Sequence, residues 1–467
     1  MEPRAALLAR VSAAHGTEVS DPATGEVIGY VRFGTPGDIT KAVDRAAAAR
    51  QAWAALPDAD RIGHLMRCAD AVEAHAEELA YAVSRESGKP LAGIGARYEI
   101  EACAHWFRAT ADVSLPFEVL VDDGKDYAEM HYRPVGIVGV ISPWNWPLLI
   151  ASWQIAPALR MGNTVVHKPS EHATLASLAL IDVLSDVLPS DVLVTVPGAG
   201  DVGDALVRDS RVGKIMFTGS VATGKKVVEA SAGNLSRLTL ELGGNDAGIV
   251  LPDADPEAIA EGLFWGAFIN NGQTCAALKR LYVPHAIYGQ VVESLAAFAA
   301  KIPMGSGLNE GNLLGPLQNE TQWKKVSGLV EDARARDARL VTGGDPDPRQ
   351  AGYFYPATLV ADIGNDAPLV QEEQFGPALP IIRYTDLEQA IEWANGVDLG
   401  LGASVWSANR AAAAAVAARL QAGTVWINRH GGIHPMIPFG GVKHSGYGLE
   451  FGVDGLKSVA VPQVISG

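Results

Sequence analysis

The chain has 467 residues, 48% apolar and 19% charged, a globular balance long enough for two or more packed units and unlike a disordered chain. Lys and Arg number 37 against 53 Asp and Glu, a net charge of −16, so the surface repels phosphate backbones and anionic lipid and neither nucleic acid nor membrane is an expected partner. Three scattered cysteines, Cys68, Cys103 and Cys275, are too few for a disulfide framework or a zinc knuckle and fit a reducing, cytoplasmic setting.

In chain order, residues 1–14 carry Arg4 and Arg10 among short apolar stretches, with neither a continuous apolar core nor a cleavage pattern, so no signal peptide is read there. The alanine-rich run 45–55 predicts a helix. Residues 126–133 alternate apolar and polar side chains, as a half-exposed strand does. The stretch 134–159 has no charged residue and imitates a membrane span. Pro143, Asn145, Pro147, Gln154 and Pro157 interrupt it and predict instead a buried strand, a turn and a helix. Strands then follow at 165–167, 192–196, 214–218 and 237–242, with helices at 175–187, 201–207 and 223–232 between them. That spacing predicts an α/β fold with a parallel sheet covered on both faces. A second alternation places helices at 255–270, 286–301, 320–336, 387–395 and 408–421, the last an alanine-rich run. Its strands fall at 279–284, near 355–360, at 378–384 and at 402–406.

Four loops carry chemistry-bearing residues. Cys275 follows Asn270-Asn271-Gly272-Gln273-Thr274, a Gly-containing turn that could present a thiolate. Taken alone, a single cysteine is more often a small buried hydrophobe. Thirty-four residues upstream, Glu241 ends an apolar strand before Gly243-Gly244, a setting suited to a shifted pKa and base chemistry or to a structural cap. Asn145 is held between Trp144 and Trp146 and flanked by Pro143 and Pro147; its amide could donate to an oxyanion or serve a turn. Phe217-Thr218-Gly219-Ser220 leads from strand to helix and offers free N–H groups to a phosphate, although it matches neither GxGxxG nor a P-loop.

Taken together, these segments resemble the aldehyde dehydrogenase superfamily over nearly the whole chain. Asp21-Pro22-Ala23-Thr24-Gly25-Glu26 resembles its amino-terminal turn, and Pro143 to Pro147 its oxyanion segment. His167-Lys168-Pro169-Ser170-Glu171 is similar to its adenosine-ribose site and Phe217 to Gly224 to its pyrophosphate turn. Glu241-Leu242-Gly243-Gly244 and Gly272-Gln273-Thr274-Cys275 resemble its base and nucleophile motifs. Glu372 to Pro377 is similar to the nicotinamide-ribose segment, and Pro438 to Gly446 to the carboxy-terminal signature. Asn245 and Leu449 depart from the Lys and Arg that many members carry there.

The resemblance implies a Rossmann-like cofactor domain (1–115 and 135–243), an α/β catalytic domain (244–445) and a small β bridging element (116–134 with 446–467). It also implies a homodimer or homotetramer joined through that element, and the 126–133 alternation is consistent with an edge strand needing a partner. The activity implied is oxidation of an aldehyde to its acid. Cys275 would form a thiohemiacetal, Asn145 and the Cys275 N–H would hold the oxyanion, and Glu241 would activate the water that hydrolyses the thioester. NAD is the expected cofactor, with NADP an alternative. Lys168 and Glu171 would bind its adenine ribose, Ser220 its pyrophosphate and Glu373 its second ribose, with Phe375 beside the nicotinamide. Ile141, Ser142, Trp144, Ser170, Gly219, Gly224 and Leu242 complete the implied cofactor site. Trp146, Leu149, Ile150, Trp153, Ile269, Thr274, Ile433 and Phe439 would line a tunnel suited to an apolar, aromatic or medium-chain aldehyde.

Arg429 or His434, on the glycine-containing loop 428–434, could turn inward instead and favour an anionic semialdehyde. The motifs also leave room for a CoA-acylating relative, in which a water activator such as Glu241 is superfluous, for a cysteine hydrolase, and for an inactive structural relative. No metal site is expected, because Gly431, Gly432 and Pro435 keep His430 and His434 off a common helix face.

Overall fold

The computed structural model describes residues 3–467; Met1 and Glu2, where the amino-terminal stretch begins, lie outside the described residues. Ile137–Ile141 and Thr164–Lys168 are strands with every residue buried, which their runs of Val and Ile permit and a sheet covered on both faces requires. They sit inside a six-stranded sheet in the order Gly446–Tyr447, Arg237–Glu241, Val212–Thr218, Ile137–Ile141, Thr164–Lys168, Leu193–Thr195. All its pairs are parallel except the first. The chain winds outward from Ile137–Ile141 through Thr164–Lys168 to Leu193–Thr195, then crosses back to Val212–Thr218 on the other side. A switch of direction therefore lies between Ile141 and Thr218, where the carboxyl ends of adjacent strands open a crevice.

The second sheet has seven strands, in the order Arg339–Thr342, Thr358–Ala361, Ala378–Tyr384, Leu278–Pro284, Asp246–Val250, Gly402–Trp406, Thr424–Ile427. It is parallel except for its first pair. Four residues, 242–245, join Glu241 of the first sheet to Asp246 of the second, so the carboxyl edge of one abuts the amino edge of the other. Asp246 lies level with Leu278, which brings the loop before Leu278 to the same seam.

Most predicted elements appear within a few residues of their expected limits, and 134–159 folds as the strand Ile137–Ile141 and the buried helix Pro147–Arg160. No helix of the described residues is long and apolar enough to cross a membrane. The helix expected at 408–421 runs only from Arg410 to Ala417, started by Asn409, whose side chain accepts from the Ala411 and Ala412 N–H groups. The short strands Arg339–Thr342 and Thr424–Ile427 and the helices Asp58–Ala74, Ala76–Ser87 and Ala96–Asp112 were not anticipated.

Two expectations change. Tyr127–Pro134 is not an edge strand: it pairs with Glu118–Asp122 on one side and Ala460–Ser466 on the other, which become the edges. Its polar alternation reflects two partly exposed faces, not free hydrogen-bonding groups. The segment 446–467 is also divided, because Gly446 and Tyr447 pair with Glu241 and Leu240 in the six-stranded sheet before the chain reaches Ala460–Ser466.

Candidate active site

The seam between the two large sheets gathers the predicted nucleophile, base and oxyanion amide. Before Cys275 the chain makes a left-handed run, Asn270 (φ 50°), Asn271 (φ 55°) and Gly272 (φ 72°). Asn tolerates this region and Gly favours it; a Cβ on Gly272 would also lie 2.3 Å from the Gly376 carbonyl oxygen. Asn271 exchanges hydrogen bonds with Gly315, and Gln273 Oε1 accepts from the Gln318 N–H at 3.0 Å. Asn145 Nδ2 donates to the Gln273 carbonyl at 2.9 Å, which ties the oxyanion segment to the nucleophile loop and leaves the second amide N–H for a ligand. Trp146 Nε1 donates to Thr274 Oγ1 at 2.9 Å.

Burial pushes the Cys275 thiol up to about 12; Lys279 opposes that, while Glu241 and Asp246 add to it. Burial thus works against the thiolate, and a nearby base would favour its formation. Glu241, 2% exposed at the end of its strand, has both carboxylate oxygens buried without a partner. Burial first, and then the nearby Glu450 carboxylate, raise it well above the usual range. Glu450 is itself buried and pushed up to about 7, with Gln154 Nε2 donating to its Oε1 at 2.9 Å and to Thr218 Oγ1 at 2.8 Å.

Cys275 borders two chambers. On one side a space of about 650 Å³ is lined by Trp144, Asn145, Gly219, Leu242, Glu373 and Phe375. It meets a cleft of about 1200 Å³ at the switch point, lined by Ile141, Ser142, Lys168, Ser170, Glu171 and, shared by both, Trp144 and Ser220. Ser220 caps the helix Val221–Ser231 by accepting from the Thr223 N–H at 3.2 Å. Gly224 lines neither space; it packs against Leu242, whose Cδ2 would lie 2.6 Å from an added Cβ. Lys168 Nζ stands 3.3 Å from Glu171 Oε2; burial works against this carboxylate, but Lys168 and its other partners outweigh it and hold it below the usual range. Glu373 Oε1 accepts from the Gly244 N–H at 3.0 Å, and a Cβ on Gly243 would lie 2.4 Å from Glu373 Oε2, so a side chain there would make the carboxylate shift.

On the other side of Cys275 a pocket of about 510 Å³ takes all eight predicted substrate residues, Trp146, Leu149, Ile150, Trp153, Ile269, Thr274, Ile433 and Phe439, and adds Tyr98, Ala276 and Gly431. Among the described residues no charged side chain lines it. Arg429 and His434 are exposed and outside it. His430 is turned inward, Nδ1 2.9 Å from Ser404 Oγ and Nε2 3.4 Å from the buried Asp246 Oδ2. Among the described residues no group of three or more His, Cys, Asp or Glu is placed to hold a metal ion.

The sequence model of the aldehyde dehydrogenase family matches residues 10–465. The chain belongs to that family. Phenylacetaldehyde dehydrogenase of Pseudomonas fluorescens is 39% identical over 94% of this chain and 90% of its own length. Betaine aldehyde dehydrogenase of Cereibacter sphaeroides is 39% identical over 92% and 89%. The NAD+ complex of an aldehyde dehydrogenase from Bacillus cereus superposes with a TM-score of 0.93 at 34% identity, covering 97% of this chain and 93% of that one. In this aldehyde dehydrogenase, sequence reasoning missed a buried support beneath Asn145. Lys89 Nζ donates to the Asn145 carbonyl at 3.0 Å and to Glu99, whose Oε1 accepts from the Leu148 and Leu149 N–H groups at 2.9 and 3.2 Å. The pair is fully buried and far from Asn145 along the chain, so no local pattern announces it. Tyr98 was missed because it comes from the unanticipated helix Ala96–Asp112.

Proposed function

We propose that this aldehyde dehydrogenase oxidises apolar aldehydes, aromatic ones above all, to carboxylic acids with NAD. The observation that carries the substrate class is the uncharged lining of the pocket at Cys275. Burying a ring against Trp146, Leu149, Trp153 and Phe439 is favourable by roughly 25 cal/mol per Å², whereas an unpaired carboxylate there is expensive. A cationic aldehyde is disfavoured too, since one face of the Trp146 indole already carries the Lys89 ammonium at 3.6 Å.

Cys275 attacks the carbonyl carbon and passes its thiol proton to the unpartnered Glu241 carboxylate, which hands it on to solvent. The free Asn145 N–H and the Cys275 N–H hold the oxyanion of the thiohemiacetal; losing one such donor costs roughly 3–4 kcal/mol of barrier. The joined clefts fit NAD. Lys168 and Glu171 suit a ribose diol, the capped helix end at Ser220 a pyrophosphate, and Glu373 with Phe375 the second ribose and the nicotinamide. Bound there, the nicotinamide supplies the acceptor for the hydride that leaves the thiohemiacetal carbon. Glu241, ionised again once it has given that proton up to solvent, then takes a proton from water; the hydroxide adds to the thioester carbonyl, and collapse releases the acid and the Cys275 thiolate, which is reprotonated. We further propose that 1–115 with 135–243 serves the cofactor, 244–445 the chemistry, and the three-stranded sheet a homodimer or homotetramer.

A panel of aldehydes followed by nicotinamide absorbance tests the substrate class. Phenylacetaldehyde, benzaldehyde and hexanal should show kcat/KM at least about tenfold above succinate semialdehyde and betaine aldehyde. The reverse order overturns the apolar reading.

A further inference from the structure

Lys279 has no part in the mechanism above, yet it is the cation built into the nucleophile loop. It lies second in the strand Leu278–Pro284, with its side chain 2% exposed. A Lys at a fully buried strand position is expensive unless its donors are used. Here Nζ donates to the carbonyl oxygens of Thr274 and Cys275, both at 2.7 Å, and reaches that of Ala277 at 3.5 Å. Glu373 Oε1 stands 3.7 Å away. The Thr274 carbonyl belongs to the same planar peptide as the Cys275 N–H, and in a trans peptide the two point in opposite directions. Pinning that oxygen therefore aims the N–H away from Lys279.

We propose that Lys279 is the positioning residue of this nucleophile: it orients the Thr274–Cys275 peptide so that its N–H serves the oxyanion, and it places beside Cys275 the positive charge that favours the thiolate, a charge for which Glu373 competes. The proposal rests on the reading of Cys275 as nucleophile. Beyond burial, Glu241 at the end of its strand and Asp246 at the start of the next oppose ionisation of the thiol, while Lys279 and, to a smaller extent, the Ala276 N–H favour it. Facing Lys279 are Glu373, itself near Gly244 and Lys325, and the Phe375 ring at 5.8 Å. Because Glu373 also lines the proposed cofactor chamber, Lys279 connects that chamber to the reacting sulfur.

The test is alkylation of Cys275 by iodoacetamide in the full-length enzyme at pH 9, without aldehyde or cofactor, read by peptide mass spectrometry; the buried Cys68 and Cys103 serve as internal references. Lys279→Met should slow alkylation about tenfold or more, the size of one unit of thiol acidity, and lower kcat while the KM for NAD stays within about threefold. Lys279→Arg should recover part of both. Glu373→Gln should speed alkylation by roughly threefold, and that gain should shrink in the Lys279→Met background, the signature of two coupled groups. Opposite shifts from neighbouring substitutions are not what general loosening produces. Alkylation at the wild-type rate in Lys279→Met overturns the proposal. Should that variant not fold, unchanged rates in both Lys279→Arg and Glu373→Gln overturn it equally. Failure of the nucleophile reading is read separately, by aldehyde turnover in Cys275→Ala.

Discussion

At the scale of single residues, the site is a set of groups held away from their usual ionisation by burial. Burial opposes ionisation of both Cys275 and Glu241, and the Glu241 oxygens have no partner, which leaves both groups available for chemistry. Cys275→Ala is expected to abolish aldehyde oxidation. Glu241→Gln should leave the first hydride step measurable and slow release of the acid by about 100-fold, a typical general-base contribution; rapid-quench measurement of acyl-enzyme decay checks this. Asn145→Ala should lower kcat by roughly 100-fold, without the change in NAD binding that a collapsed cleft would cause. The Glu450 charge raises Glu241, so Glu450→Gln should let Glu241 ionise at lower pH. Deacylation needs the ionised form, so the acid limb of its pH profile should move down in the variant. A pH profile of thioester hydrolysis that does not move would show that the two carboxylates do not communicate.

At the scale of elements, the crossing of the chain at the switch point makes the cofactor cleft. Strand Thr164–Lys168 delivers Lys168 and, three residues on, Glu171 to its rim, while Val212–Thr218 delivers Ser220 opposite. An anionic Glu171 repels a 2′-phosphate. Glu171→Gln is expected to lower the ratio of NAD to NADP catalytic efficiency by about tenfold, measured by initial rates with both cofactors. Fold class and element order were legible because apolar runs and turn residues alternate with the right periods. The helices over 58–112 were harder to read: their apolar stripes include buried Glu86 and Glu99, and buried Lys89 stands between two of them, with partners at Leu175, Leu148 and Asn145 far along the chain. The polar alternation of Tyr127–Pro134 misled in the opposite way, since alternation reports exposure of faces and says nothing about how many strands flank it.

At the scale of the whole molecule, the three-stranded sheet exposes Phe117, Val119, Leu120 and Val121 on one edge and Val464 and Ile465 on the other, each 41–56% accessible. Aliphatic side chains and unpaired edge groups side by side invite a second copy. Leu120→Glu with Val464→Glu should convert a homo-oligomer to monomer in sedimentation velocity while far-ultraviolet dichroism is kept. A wild-type enzyme that is already monomeric sinks the oligomer proposal.

The sequence by itself marked the loops that hold Cys275, Glu241, Asn145 and Ser220, because a thiol, a carboxylate, an amide and a turn with free N–H groups stand there beside Gly, Pro and Asn. It also marked the eight side chains, seven apolar and Thr274, that line the pocket, by resemblance of ordered motifs. What it left open was what surrounds them. Arg429 and His434 stand near Ile433 in sequence, yet only the folded loop, with Trp426 Nε1 donating to the Gly432 carbonyl at 2.9 Å, carries Ile433 to the pocket lining and leaves them exposed. Lys89, Glu99, Lys279 and Glu450 read in the chain as ordinary surface charges. Only the tertiary structure removes their water, and a buried charge acts on its neighbours with a strength that no residue type carries by itself.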